Sequence, residues 1–369
     1  MLKKILGTML CFAIISVNVY STESTYTNDK ITYTLTLKEA VDMALTDNPQ
    51  LKACLEKKED TKIQLKSAKE TKAQYRDLKN IPLSSGFELL YIKNGYYVHS
   101  YEKALDLANY EYKQIEAKIA YNVTEKYFNL KNSEKLVEIA KNSYDLINTN
   151  YTNTSLSYQL GVISKAELDS ASVSLLQAKF NLETYKNNLE LAKEDFKIAM
   201  NKNNENCDFV LTDSLDVVEF TADLSADLLN AEGSRYDIAS LKMNYELAKE
   251  YLDLTLSGAT ARKSSAKSSF ITAEYNYTNN KALILLGVKS SYNNISSSRN
   301  NVTLTDETLK LKKNAYEIAK IQYDQGLITN TELLTSLNNV NTAEVEYENA
   351  KLKYRLSVDK YKYDVQIGI

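Results

Sequence analysis

Apolar residues recur at intervals of seven in two parts of the chain, with small residues in a second column beside them. After Gly161 these columns hold Leu168, Leu175, Leu182, Leu189 and Phe196, and Ala171, Ala178, Ala192 and Ala199. After Gly326 they hold Leu333, Val340, Tyr347, Tyr354 and Tyr361, and Ser336, Ala343, Ala350 and Ser357. A strict seven-residue repeat keeps one seam of a helix against a partner. The pattern therefore predicts an all-α fold of long, coiled-coil-like helices.

Each pair of columns starts from nearly the same short sequence, GVISKAEL at 161–168 and GLITNTEL at 326–333. In the first copy, Gly161 can take the left-handed backbone that ends a helix. Ser164 is then the N-cap of the next helix, and Glu167, three positions later, completes a capping box. The equivalent residues of the second copy are Gly326, Thr329 and Glu332. Both sequences therefore predict the tight turn of a helical hairpin.

The internal repeat extends to the rest of the chain. An offset of 165 relates Tyr127 to Tyr292 and Tyr158 to Tyr323, and an offset of 187 relates Leu37 to Leu224 and Ala44 to Ala231. We predict that residues 22–369 form a single helical domain of two tandem repeats, 35–203 and 221–369, joined by a polar, Asn-rich connector at 201–219. The two offsets differ because the second copy is shorter at the end opposite the turns.

That opposite end contains a predicted β-hairpin in the first copy only. Pro82 is expected to stop a helix, and two short strands, Phe87–Ile92 and Tyr96–Ser100, flank the turn sequence Asn94-Gly95. The second copy offers only Ser257-Gly258, followed by helix-compatible sequence.

Composition argues against several classes of function. The 369 residues include 45 basic and 48 acidic side chains, so the net charge of −3 gives no reason to expect a nucleic acid or an anionic surface as partner. One histidine, His99, and three cysteines cannot build a His/Cys metal cluster. No nucleophile elbow, phosphate-binding loop or dinucleotide motif is present. We therefore predict no enzymatic activity, no metal and no cofactor.

The first 21 residues have the three parts of a secretory signal peptide: Lys3 and Lys4, an apolar stretch from Ile5 to Val17, and small residues before a cleavage site after Ser21. A membrane anchor is the alternative interpretation, for which the apolar stretch is short. An exported protein retains Cys54 and Cys207, which could form a disulfide or remain buried thiols.

Residues 35–51, LTLKEAVDMALTDNPQL, resemble the opening motif of the TolC family of outer-membrane efflux proteins. The tandem repeat, the two turn sequences and the terminal Ile367-Gly368 are similar to the same family. The resemblance implies a homotrimer whose helices form a hollow duct in the outer membrane and periplasm, or in the envelope of a cell without an outer membrane. Such a duct joins an inner-membrane pump and its periplasmic adaptor to the exterior, for efflux or type I secretion.

One departure concerns the β-barrel that the family builds from two strands per repeat. A membrane-spanning strand needs about 9–11 residues, whereas the candidate strands of the first copy have five or six. The sequence therefore predicts a barrel part that is rudimentary or absent.

The resemblance also assigns roles to residues near the turns. It implies that Tyr323 and Glu332 constrict the periplasmic mouth of the pore, although Thr335 and Ile328 stand where the family has a second acidic residue and an arginine. Glu332 could instead serve only as a helix cap. The turns would be the docking site of the adaptor, at Gly161, Ser164, Glu167, Gly326 and Thr329.

Two other functions compete with the duct. An exported structural or adhesion protein could use the same coiled coil without a pore. A periplasmic adaptor also has a helical hairpin, but adaptors add a series of strands that this sequence lacks.

Overall fold

The computed structural model describes residues 31–46, 48–76, 86–255 and 260–366. The predicted signal peptide, Pro82, Ser257-Gly258 and Ile367-Gly368 lie outside these residues. The elements in chain order are β1 (Ile31–Leu35), α1 (Leu37–Leu45), α2 (Pro49–Tyr75), α3 (Gly86–Asn94), α4 (Tyr96–Gln159), α5 (Lys165–Ala199), β2 (Cys207–Leu211), α6 (Leu224–Ser234), α7 (Tyr236–Thr255), α8 (Thr260–Asp324) and α9 (Asn330–Val365).

Two long helical hairpins form the body of the molecule. In the first, α4 has 64 residues and α5 has 35; in the second, α8 has 65 and α9 has 36. At 1.5 Å per residue, α4 alone is about 95 Å long. α5 packs along α4, α4 packs against α9, and α9 packs along α8. The part of α4 that extends beyond α5 is covered by α2 and α7, and the matching part of α8 by α7.

The helix bounds repeat with the offsets found in the sequence. α1 and α6 begin at Leu37 and Leu224, and α2 and α7 at Pro49 and Tyr236, each pair 187 residues apart. α5 and α9 begin at Lys165 and Asn330, 165 residues apart. The limits of the two repeats remain a prediction, which these matching bounds support.

The predicted seams and the helical fold are confirmed. On α5, Leu182 and Phe196 are buried and Leu175 is half-buried, and on α9 the column residues Val340, Tyr354 and Tyr361 are buried. The alanine column is buried at Ala171, Ala178, Ala343 and Ala350. Among the described residues, no helix combines the length and the apolar character needed to cross a bilayer.

Sequence reasoning missed a small parallel sheet. β1 pairs with β2 from Ile31 opposite Cys207 to Leu35 opposite Leu211, so the connector is not only polar. The sheet and α1 cover a core in which Tyr127, Phe128 and Phe196 meet edge to face, with ring centroids 5.3 and 6.0 Å from that of Tyr127. Cys54 and Cys207 are buried free thiols, and burial raises the pKa of both.

The predicted β-hairpin at 87–100 is wrong, because this segment is helical. Gly95 takes φ +82° and ends α3, with its N–H donating to the carbonyls of Tyr91 and Ile92, both at 3.0 Å. The Tyr91 ring lies 5.2 Å from that of Tyr251 on α7, and its hydroxyl lies 3.1 Å from the hydroxyl of Thr255. The glycine therefore joins two helices, and packing against α7 outweighs the strand propensity of the aromatic residues.

Candidate functional site at the hairpin turns

The first turn is a Schellman motif followed by a capping box. Gly161 has φ +74°, its N–H donates to the Tyr158 carbonyl at 2.9 Å, and the next N–H, of Val162, donates to the Ser157 carbonyl at 2.9 Å. The Ser164 hydroxyl then accepts the N–H of Glu167 at 3.3 Å, and the carboxylate of Glu167 accepts the N–H of Ser164 at 3.3 Å. Together these bonds satisfy backbone groups at the end of α4 and the start of α5.

The second turn has the same geometry. Gly326 has φ +72°, and the N–H of Leu327 donates to the Gln322 carbonyl at 2.8 Å. The Glu332 carboxylate accepts from the Thr329 N–H at 2.7 Å and from the Thr329 hydroxyl at 2.9 Å. These two bonds hold the pKa of Glu332 below its usual value, so Glu332 is ionised at neutral pH.

Polar contacts across the seam between the repeats hold the two turns side by side. Asn330, the first residue of α9, is buried, and its amide group exchanges hydrogen bonds with Asn150 at 2.7 and 3.0 Å and reaches the Thr154 hydroxyl at 3.2 Å. The hydroxyls of Ser170 and Thr331 lie 3.1 Å apart. Because amide pairs specify register between packed helices, these contacts fix the height of one turn relative to the other.

A cavity of about 340 Å³ lies between the turns and brings most of the predicted site residues together. Its lining includes both carboxylates, Glu167 and Glu332, together with Tyr323, Gly326 and Thr329. Gly161 and Ser164 belong to the adjacent turn and are exposed, outside the lining. The Tyr323 side chain is 36% exposed. Glu332 therefore acts as a helix cap in the chain and also faces a polar cavity.

The tips of the turns expose apolar side chains that the sequence reasoning did not single out. Leu160 is 71% exposed, Val162 74% and Leu327 69%. The sequence contained a signal for this feature, since an apolar residue follows each turn glycine. The capping residues predict the turn itself, but they do not show whether the neighbouring side chains are exposed. Exposed apolar side chains grouped at one end of a molecule are typical of a protein interaction site.

The two outermost helices of the hairpin pair also expose apolar stripes. On α5, Val173, Leu176 and Phe180 are 64–66% exposed, and Leu191 and Ile198 are 67% and 64% exposed. On α8, Leu304, Leu311 and Ile318 recur at intervals of seven and are 58–64% exposed. These stripes lie at the two ends of the order α5, α4, α9, α8, and no further helix among the described residues covers them.

Metal and cofactor chemistry finds no support in the part of the chain that is described. It contains no group of three or more His, Cys, Asp or Glu side chains able to hold a metal ion. The one histidine, His99, lies near the other end of α4 and contacts Glu250 through Nδ1 at 2.8 Å.

Comparison with known proteins identifies the fold. Residues 217–359 match the family model of the outer membrane efflux protein. The structure is similar to the Campylobacter jejuni CmeC outer membrane channel, with a TM-score of 0.69 at 17% identity, covering 90% of this chain and 86% of that one. The structure is also similar to VceC from Vibrio cholerae, with a TM-score of 0.72 at 12% identity, covering 90% of this chain and 96% of that one. A third similar structure is the open state of the Neisseria gonorrhoeae MtrE outer membrane channel, with a TM-score of 0.67 at 13% identity, covering 90% of this chain and 89% of that one. Comparison with curated protein sequences gives no match.

Proposed function

We propose that this chain, whose residues 217–359 match the family model of the outer membrane efflux protein, is one third of a hollow trimeric duct. The duct carries substrates out of the cell envelope from an inner-membrane pump and a periplasmic adaptor. It performs no catalysis; its function lies in the shape of its wall and in the residues at its mouth.

The observation that carries this proposal is the pair of uncovered stripes on α5 and α8. Because they lie on opposite flanks of the same four helices, α5 of one copy can pack against α8 of the next. Such a head-to-tail contact closes into a ring when the rotation between copies is right. A rod-like structural protein without a pore would need only one such surface, paired with itself.

The turn end is the proposed docking site of the adaptor. Leu160, Val162 and Leu327 extend from the two turns, and the capping boxes of Ser164 and Thr329 make their positions rigid. An adaptor with an apolar tip would bury these side chains and leave the capping bonds intact.

The same end is the proposed mouth of the pore, with Tyr323 and Glu332 as its constriction. Three ionised Glu332 carboxylates around one axis would attract cations, as rings of carboxylates do in cation channels. Glu332→Gln keeps the shape of the side chain and can still accept both bonds from Thr329, since glutamine also serves in capping boxes. We expect at least a twofold lower potassium-to-chloride permeability ratio in planar bilayers, an order-of-magnitude figure, with little change in melting temperature.

Glu167→Gln is the matched control, because Glu167 has the same cap and lines the same cavity but lies on the first turn. It should leave the permeability ratio unchanged. If both substitutions change the ratio equally, or if neither does, Glu332 has no special place at the mouth.

Efflux is the transport role we favour over type I secretion, and deletion of the gene tests the choice. Deletion should increase the accumulation of small toxic compounds, and the wild-type gene should restore resistance. Loss of one secreted protein with unchanged drug accumulation would assign the duct to type I secretion. No effect on either, in a chain that still assembles, would favour the structural or adhesion role.

A further inference from the structure

A cavity of about 550 Å³ lies beside α4, between the end of α5 and the start of α2. We call it the junction cavity. Two ion pairs mark its position along α4: Lys57 of α2 with Glu111 at 2.7 Å on one side, and Lys126 with Asp195 of α5 at 3.1 Å on the other. Its volume is within the range of small-ligand sites. The polar side chains in its lining are those of Gln50, Lys118, Asn122, Glu125 and Asn201, and Tyr121 contributes a ring.

The polar side chains of the junction cavity have no partners among the described residues. Lys118, Asn122 and Glu125 follow one another at intervals of four and three residues, so they share one face of α4. About 10 Å of helix separates Lys118 from Glu125. Within the part of the chain that is described, none of the five polar lining side chains forms a hydrogen bond or an ion pair. The cavity therefore offers one positive and one negative group, with free amides between and beside them.

The second repeat bridges the equivalent junction with an arginine. By the offset of 187, Arg235 takes the place of Asn48, next to the start of α7. Its guanidinium donates to the carbonyl of Asp364, at the end of α9, at 2.6 Å. The Asn48 side chain instead bonds the Ala44 carbonyl at 3.1 Å and the Gln50 N–H at 2.9 Å, both in its own segment. The first repeat therefore leaves open a space that the second repeat closes.

The polar face of α4 also has no counterpart on α8. By the offset of 165, the residues at the positions of Lys118, Asn122 and Glu125 are Leu283, Gly287 and Ser290. Both repeats nevertheless form the same long hairpin. Because the hairpin forms without these charges in the second repeat, its packing does not account for them in the first, which points to a ligand.

The arrangement matches a short peptide with free termini. Such a peptide carries an ammonium group at one end and a carboxylate at the other, and three extended residues span about 10 Å. The amide groups of Asn122 and Gln50 can both donate and accept, as peptide groups require. The Tyr121 ring, stacked on Tyr363 with the centroids 5.2 Å apart, offers apolar surface for a side chain. A ligand with charge of one sign only would leave Lys118 or Glu125 without a partner.

We propose that the junction cavity binds peptides of about three residues, with the C-terminal carboxylate at Lys118 and the N-terminal ammonium at Glu125. The site also bears on the cargo, and in this respect the inference rests on the proposed function. The β-sheet and α1 pack against Val123 and Tyr127, on the opposite face of α4. In a ring this layer must lie outside, since it would otherwise fill the lumen. The junction cavity then opens toward the lumen, and short peptides are among the compounds that the duct carries.

A ligand-observed NMR titration of the purified full chain with the tripeptide Ala-Leu-Ala tests the proposal. Acetylation of its N-terminus or amidation of its C-terminus should each weaken binding by roughly fivefold, the upper range for an exposed ion pair. Glu125→Gln should weaken binding of the free peptide as much as acetylation does, and Lys118→Gln as much as amidation. Each matched pair should not add, because both changes remove the same contact: Glu125→Gln should be insensitive to acetylation, and Lys118→Gln to amidation.

Two further variants serve as controls. Lys113→Gln removes an exposed charge from α4 outside the cavity and should bind like the wild type. Asn122→Tyr, at an exposed position, should fill the cavity and remove binding without changing the urea midpoint of unfolding.

Equal binding of the doubly blocked peptide, or losses that add within a matched pair, would overturn the proposal. So would binding of maltotriose in place of the peptide, which would indicate a saccharide site, or a folded chain that binds neither. Ile198, which lines the cavity and also belongs to the α5 stripe, stays unchanged in every variant. A ring that binds no peptide would leave the duct and remove the site. Peptide binding by a chain that forms no ring would leave the site and remove its role in transport.

Discussion

Replacing Phe180 by alanine should weaken assembly of the wall without weakening the fold of the chain. The Phe180 side chain is 66% exposed on the α5 stripe, and a buried aromatic side chain covers about 200 Å². Two thirds of that area, at about 25 cal/mol per Å², corresponds to about 3 kcal/mol of lost burial at each contact between copies. That loss weakens each contact by about a hundredfold. Within one chain, the substitution of so exposed a residue should change stability by about 0.5 kcal/mol or less.

Leu182 provides the matched control, because it lies two residues away on α5 but is only 7% exposed. Leu182→Ala should cost about 2–5 kcal/mol of folding stability, since it opens a cavity in the seam with α4. Light scattering over a dilution series measures assembly, and urea denaturation measures folding. Phe180→Ala should dissociate at much higher concentration than the wild type while unfolding at the same urea concentration. If it assembles like the wild type, the α5 stripe faces solvent in the duct, and the interface between copies must be sought elsewhere.

Three further substitutions test local features of the fold. Gly326→Ala should lower the free energy of unfolding in urea by about 1–2 kcal/mol, because the backbone at Gly326 has a φ of +72°. The cost comes from the backbone alone, since nothing lies within 4 Å of the added methyl group. The control Gly233→Ala, inside α6, should be neutral or stabilising. Tyr127→Phe should cost about 1–3 kcal/mol, because the buried hydroxyl that bonds Leu35 and Asp213 is lost, whereas the same change at Tyr275, 64% exposed, should not register. Asp359 is fully buried beside Arg355, and burial raises its pKa above 3.8. The native state then holds the proton more tightly, so stability falls as pH rises from about 4 through the native pKa; Asp359→Asn should flatten that slope, and an unchanged slope would contradict the assignment.

The features that the sequence predicted well are those set by local spacing. Both turns follow from a glycine, an N-cap and a glutamate within seven residues, and the seams follow from a period of seven that short-range geometry imposes. The cavity between the turns is different, because it depends on the contact between Asn330 and Asn150. No sequence pattern around either residue indicates that the two are partners.

The errors arose where distant parts of the chain decide the structure. β1 and β2 pair across more than 170 residues, and five-residue strands carry little pattern of their own. In the segment 87–100, Asn94-Gly95 between aromatic residues favoured a hairpin. The segment is helical instead because Tyr91 packs against Tyr251 on α7. This contact joins distant parts of the chain, so the local sequence does not predict it. Exposure of the α5 and α8 stripes likewise became visible only when the order of the four helices was known.

Electron cryomicroscopy of the purified particle, viewed down its long axis, tests the central claim most directly. A closed duct predicts a threefold ring around an open lumen, with α4, α5, α8 and α9 contributed by each copy and α5 of one copy against α8 of the next. A monomer, a twofold dimer joined through one stripe, or a bundle with a filled centre would contradict the account.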